Sequence, residues 1–359
     1  MRLYTPERNH GCRIMEVVYR GLKTVIMENE VLRVVILADK GTDIVEFLHK
    51  PTDTDFLLRL WQGVRDPRRT VLTSVPENGT FIDYYSGGWQ DILPNLGNAC
   101  THRGAHFGLH GEVSLIPWDY EVVRDDAEEI AVKFRVKTYR TPLLVEKTLS
   151  MKSGRAVLNI REKISNESPQ TVDLMWGNHP TFGPPFLEAG CVIDLPKCRV
   201  KTAEYQVDAS SRLAPNQDTA WPFVKTVDGA TVDLRQVPSA RAKCLDLAFP
   251  YAYREGWYAL TNPKKQVGFG MQWDPKVFPY ITFWQTFGGG SDYPWYGRVF
   301  CLALEPWSSY PPVLTEAVAR KAQIRLGGGK SLETEFRAVA YAGLRQVRRI
   351  APDGKVTGA

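Results

Sequence analysis

Several features are scarce or absent in this 359-residue chain, and each absence removes a class of protein. No stretch approaches the roughly 20 consecutive apolar residues that a membrane-crossing helix requires, so no membrane partner is expected. The opening segment Met1–Arg8 is polar and lacks the apolar centre of a secretory leader, so a cytoplasmic location is expected. The six cysteines (Cys12, Cys100, Cys191, Cys198, Cys244, Cys301) are scattered, and no C-x-x-C pair occurs. Most sit in apolar surroundings, as in Val299-Phe300-Cys301-Leu302, which fits buried thiols better than a disulfide frame or a zinc site. Charge of one sign is also scarce in excess: 45 Lys and Arg face 40 Asp and Glu, a net of +5. The basic clusters Arg65, Arg68, Arg69 and Arg345, Arg348, Arg349 lack interleaved aromatics, so both read as solvated surface and no nucleic-acid partner is expected.

Helical periodicity is the next scarcity. Only Leu57–Val64 and Leu314–Lys321 carry patterns that suit short helices. Strand patterns fill the chain instead. Ile130–Lys137 and Ala156–Ile164 alternate apolar and polar residues with period two, which puts one face on a core and the other in water. Glu30–Leu37 is β-branched and ends at the turn-like Asp39-Lys40-Gly41. Turns are signalled at Asn78-Gly79, Ser153-Gly154, Asp228-Gly229 and Gly327-Gly328-Gly329. Many short strands with few helices argue for an all-β sandwich or barrel. No repeat and no long polar linker interrupts the chain. One domain is therefore expected over residues 1–350, with a frayed tail at 351–359.

Four segments concentrate Gly, Pro, Trp, His and carboxylates: Ser86–Asn95, Gly108–Glu112 with Pro117-Trp118, Met175–Phe182, and Leu304–Trp307 with the earlier Trp284-Gln285. Such mixtures suit the rim of a sugar site, where aromatic faces cover the C–H face of a pyranose and amides or carboxylates bond its hydroxyls. Each residue also has a plainer reading. Trp89 after Gly87-Gly88 suits a bulge with a core tryptophan, His110 and His179 suit ordinary hydrogen-bonded histidines, and Glu305 suits a strand-end carboxylate. His102, His106 and His110 are spaced as ligands on one helical face. Three glycines lie in or beside that stretch, each costing about 1 kcal/mol in a helix, so no metal site is expected. Gly327-Gly328-Gly329-Lys330 lacks the pattern of a phosphate-binding loop, and no nucleotide or redox cofactor is expected.

Taken in order, the segments resemble aldose 1-epimerases. His110-Gly111-Glu112 with Trp118 is similar to that family's first histidine motif, Asn178-His179-Pro180-Thr181-Phe182 to its second, and Leu304-Glu305-Pro306 to its late glutamate motif. The resemblance spans roughly Glu30 to Val339. It implies a galactose-mutarotase-like β-supersandwich of antiparallel sheets and a metal-independent interconversion of the α- and β-anomers of a sugar. Glu305 would be the base on the C1 hydroxyl and His179 the acid at the ring oxygen. His110, Asn178, Gln90, Asp246, Trp89, Trp284 and Gln285 would bind the sugar. It further implies that activity falls at low pH as Glu305 takes up a proton. The family's arginine-bearing stretch before the first histidine is replaced here by Gly88-Trp89-Gln90-Asp91, which marks a divergent branch and opens the alternative of an acidic or modified sugar. A non-catalytic carbohydrate-binding or regulatory protein on the same fold is the other alternative; it would need the aromatics but not both His179 and Glu305.

Overall fold

Alternation along each strand decides what the sheets bury. In Val157–Asn166 the inward set includes Leu158, Ile160, Glu162 and Ile164, while Arg161 faces solvent. The register sets Ile160 opposite Leu149 on one side and Phe336 on the other, so three strands present one apolar surface. Burying such side chains stabilises by about 1.5–3 kcal/mol each. The computed structural model describes residues 10–69 and 74–359; Met1–Arg8, with the sequence-based reading of a leaderless start, lie outside them.

Two large antiparallel sheets result. One has eight strands, in the order Val192–Asp194, Gly256–Asn262, Val267–Trp273, Ser331–Ala342, Val157–Asn166, Leu143–Lys152, Glu129–Lys137, Asp119–Asp125. The other has twelve, and its centre runs Asp43–His49, Trp89–Ile92, Gly177–Phe182, Phe300–Trp307, Tyr280–Phe287, Cys244–Tyr251. A hydrophobic cluster fills the space between them, with Phe47, Trp89, Phe182, Phe269, Leu304 and Phe336 among its members. This is the expected galactose-mutarotase-like supersandwich. Only two short α-helices, Phe81–Tyr84 and Leu314–Ala319, occur among the described residues.

The second helix lies where the sequence placed one. The expected helix at Leu57–Val64 is not formed. Its backbone pairs across the chain instead: Leu58 N–H donates to Thr181 O at 2.8 Å, Gly88 N–H to Leu58 O at 2.9 Å and Leu60 N–H to Ser86 O at 3.0 Å. Backbone groups committed to a neighbouring strand are not available for helical bonds. The chain end is not frayed either, because Val356–Gly358 pairs antiparallel with Val347–Ile350. All six cysteines remain thiols, and five are buried.

Candidate functional site

The outer face of the twelve-stranded sheet carries a cavity of about 230 Å³. Its floor comes from three neighbouring strands. Gly177–Phe182 supplies His179, Phe300–Trp307 supplies Glu305 and Trp307, and Tyr280–Phe287 supplies Thr282 and Trp284. The pleat explains the selection: residues two apart share a face. Thr282 is the register partner of Glu305, so both lie side by side on the cavity floor. Gly177 lets the floor close up, since a Cβ there would lie 2.6 Å from Trp307 Cδ1.

His110 enters from a loop. Its backbone has φ +62°, the left-handed region that non-glycine residues occupy at a cost. The loop is held there by Leu109 N–H to Asn78 O at 2.7 Å and Glu112 N–H to Leu93 O at 2.9 Å. Glu112 locks it further, its carboxylate accepting from the Tyr139 N–H at 2.8 Å and the Arg140 N–H at 3.1 Å. Gly111 follows at φ +75°, where a Cβ would sit 2.1 Å from Leu93 O. The conspicuous glycine and glutamate beside His110 therefore build the loop rather than touch a ligand.

The titratable groups converge. His179 Nε2 lies 3.6 Å from Glu305 Oε1, and the two histidine rings are 5.0 Å apart at 69°. His110 Nδ1 is hydrogen-bonded to Leu96 O. A carbonyl only accepts, so Nδ1 carries the proton and Nε2 of the neutral ring is left as an acceptor. On His179 too, Nδ1 is the nitrogen bonded within the protein. Tyr85 OH donates to Thr181 Oγ1 at 2.8 Å, and Thr181 Oγ1 lies 3.1 Å from His179 Nδ1. A threonine oxygen has two lone pairs and can accept from both Tyr85 OH and His179 Nδ1–H, which leaves Nε2, toward Glu305, free to take up and give a proton.

Burial dominates the titration here. It pushes the Glu305 carboxyl well above the usual carboxylate range, with the Trp307 indole acting the other way. It pushes His179 well below the usual imidazole range, and the neighbouring His110 adds to that. His110 is lowered to about 4, again by burial, against the opposing hydrogen bond to Leu96. Glu305 Oε2, Trp307 Nε1 and Thr282 Oγ1 are buried without a well-formed hydrogen bond within the protein, and because they face the cavity they are free to bond a ligand.

Of the residues picked from sequence, His110, His179, Glu305 and Trp284 line the cavity. Five do not. Asn178 and Trp89 lie on the inner face, where Trp89 Nε1–H donates to Asn178 Oδ1 at 2.8 Å. The one-residue step from His179 to Asn178 reverses the side of the sheet. Gln90 is the register partner of His179, but its amide is tied back to Gly87 O at 2.8 Å. Asp246 is held by Arg212 through Nε at 2.9 Å and Nη2 at 2.7 Å, and Gln285 donates to it at 2.7 Å. Both stand one residue from cavity-lining neighbours, Leu247 and Trp284, so the pleat turns them to the other face. The histidine series also disperses, with His102 Nε2 on Asp173 at 3.2 Å and His106 Nδ1 on Thr101 at 2.9 Å.

The structure adds residues that the sequence reading missed: Phe81, Tyr85, Leu247, Phe249, Thr282 and Trp295 line the cavity, and Thr181 stands behind His179. Thr181 alone carried a usable signal, because it sits two residues from His179 within one strand.

A family model described as a domain of unknown function (DUF4432) matches residues 19–338. No curated protein matches the chain. Among solved structures, a candidate aldose 1-epimerase from Klebsiella pneumoniae is similar with a TM-score of 0.71 at 18% identity, over 91% of this chain and 83% of that one. A galactose mutarotase-like protein from Clostridium acetobutylicum reaches 0.61 at 13% identity, over 92% of this chain and 99% of that one. A galactose mutarotase related enzyme from Lactobacillus acidophilus reaches 0.59 at 17% identity, over 89% and 97%. At these identities the likeness is one of fold.

Proposed function

We propose that this chain, which belongs to the DUF4432 family and has the galactose-mutarotase-like fold, is an aldose 1-epimerase. We read residues 1–350 as one working domain. The observation that carries the proposal is the His179–Glu305 pair, 3.6 Å apart and buried at the floor of a cavity with aromatic walls. Anomer exchange needs one proton taken from the C1 hydroxyl and one given to the ring oxygen. Both oxygens hang on the same carbon, so acid and base must stand side by side.

In the forward step the Glu305 carboxylate accepts the proton of the C1 hydroxyl. The C1–O bond becomes a carbonyl, the bond from C1 to the ring oxygen breaks, and His179 Nε2–H protonates that oxygen. The open-chain aldehyde turns about C1–C2, and the same steps run backward onto the other face. The pair carries one proton in total throughout. Burial favours the uncharged form, protonated Glu305 with neutral His179, and that is the state accompanying the open chain. Thr181, itself bonded by Tyr85, holds His179 through Nδ1, so that Nε2 is the nitrogen that gives and regains the transferred proton. His110 Nε2, as an acceptor, is suited to a sugar hydroxyl. The step transfers two protons and changes no net oxidation state, and an acid and a base side by side are suited to it.

The test is magnetisation-transfer NMR on a panel of aldoses. The protein should exchange α- and β-anomers of at least one neutral aldose well above the buffer rate. Saturable sugar binding with exchange no faster than buffer would instead support a carbohydrate-binding protein.

A further inference from the structure

The ring-opening reading leaves the sugar open, and the cavity walls narrow it. We propose, resting on that reading, that the substrate is a neutral 6-deoxyaldohexose. Charge is the first argument. Among the described residues, no Lys or Arg lines the cavity, whose carboxyl and imidazole groups are Glu305, His110 and His179, buried together with no net positive charge. A carboxylate or phosphoester brought in beside Glu305 would meet no cation, and a buried unpaired anion is strongly disfavoured. The absence of the family's arginine is therefore not replaced by another cation, and acidic sugars are excluded.

The distribution of polar atoms is the second argument. The unpaired Glu305 Oε2, Thr282 Oγ1 and Trp307 Nε1 all belong to the floor around Glu305, where O1 and its neighbouring hydroxyl would lie. Toward the Thr181 end of that floor stand rings. Tyr85 lies 5.5 Å from the imidazole, Phe81 6.1 Å and Trp284 6.5 Å, centre to centre, and Trp295 extends this wall 5.2 Å from Trp284. The Tyr85 hydroxyl already donates its proton to Thr181, so it has none to give a ligand oxygen.

Geometry of the sugar joins the two. If His179 protonates the ring oxygen, the carbon on the far side of that oxygen from C1 is C5. Its substituent, C6, is two bonds away and falls among the rings that surround His179. A methyl group fills that space. A hydroxymethyl group puts a hydroxyl against rings, and an apolar pocket discriminates against an added hydroxyl by up to about 10²-fold.

Matched pairs that differ only at C6 test this: D-fucose, D-galactose and D-galacturonate, and separately L-rhamnose and L-mannose. Anomer exchange by NMR and binding by tryptophan fluorescence are both read. The expected result is a 10- to 100-fold higher kcat/KM for a 6-deoxy sugar than for its parent, with no turnover of the uronate. Equal or faster exchange of the parent hexose, or turnover of the uronate, overturns the proposal and leaves the ring-opening reading intact. A binding preference for the 6-deoxy sugar without exchange supports the ligand class and overturns the ring-opening reading. Neither binding nor exchange overturns both.

Discussion

The two faces of one strand, Gly177–Phe182, border two buried polar sets, and these differ in access rather than in burial. On the inner face Asp91 and Asn178 meet Lys147 and Glu162 from the opposite sheet, with Lys147 Nζ 2.7 Å from Asp91 and 2.9 Å from Thr42. On the outer face His179 meets Glu305 and His110. Exposures are alike: 4% for Asp91, 2% for Lys147 and Glu162, against 5% for His179 and 1% for Glu305. Each set holds a glutamate that burial pushes well above its usual range, Glu162 inside and Glu305 outside. The inner set is sealed between two sheets and carries the lysine cation of its ion pair. The outer set opens on a cavity and has no lysine or arginine. A perturbed buried carboxyl is thus no sufficient mark of catalysis; here the cavity separates the two cases.

That contrast breaks if the inner set proves functional. Lys147→Met leaves Asp91 buried without its cation, and removing one partner of such a pair costs about 3–5 kcal/mol. The fall should appear in urea unfolding, while the folded fraction exchanges anomers at the wild-type rate. A variant of normal stability that has lost exchange would place the inner set in the mechanism.

A second effect, of similar or smaller size, belongs to the outer set. His110 has a folded pKa of about 4 against about 6.5 for an unperturbed imidazole. Between those values the unfolded chain binds the extra proton, so stability is intact above about 6.5 and drains away as the pH falls toward 4. The full loss is up to about 3 kcal/mol. Urea midpoints at pH 7 and pH 4 should differ less in His110→Phe than in the wild type. An unchanged pH dependence would show that His110 is not buried as described.

The smallest expected effect sharpens the comparison from within the outer set. Thr181→Val strands the Tyr85 hydroxyl and frees the His179 tautomer. It should lower kcat about tenfold with little change in KM, and Thr181→Ser should restore the rate. A variant as active as wild type would remove Thr181 from the account.

Much of this was legible in the chain, and the misses share a cause. Period-two alternation at Ile130–Lys137 and Ala156–Ile164 points to strands, and the structure has strands at both. Leu57–Val64 misled because its apolar spacing suits a helix while its backbone partners, Ser86, Gly88 and Thr181, lie far along the sequence. His110, His179 and Glu305 stand out by residue type in unusual company. Asn178 stands out equally, yet the pleat sends it to the other face. The pleat turns Asp246 and Gln285 away as well, and Asp246 is then held by Arg212, a partner that no local pattern points to. The rings of Phe81, Tyr85 and Trp295 come from segments whose meeting depends on tertiary packing alone. Burial also reverses one expectation about pH. It pushes Glu305 up and His179 down, so on the proposed mechanism the acid limb belongs to the pair's second proton, on His179, rather than to Glu305.

The most direct test is the pH profile of anomer exchange in Glu305→Gln beside the wild type. In the wild type, kcat/KM should be flat while the pair holds one proton. It should fall in acid, below the ordinary imidazole range, as His179 takes a second. It should fall again in alkali, above the ordinary carboxylate range, as Glu305 loses the first. Glu305→Gln should lower kcat by about 10²-fold or more with a smaller change in KM, and the alkaline limb should vanish. A folded Glu305→Gln protein that exchanges anomers at the wild-type rate, with both limbs in place, would contradict the account.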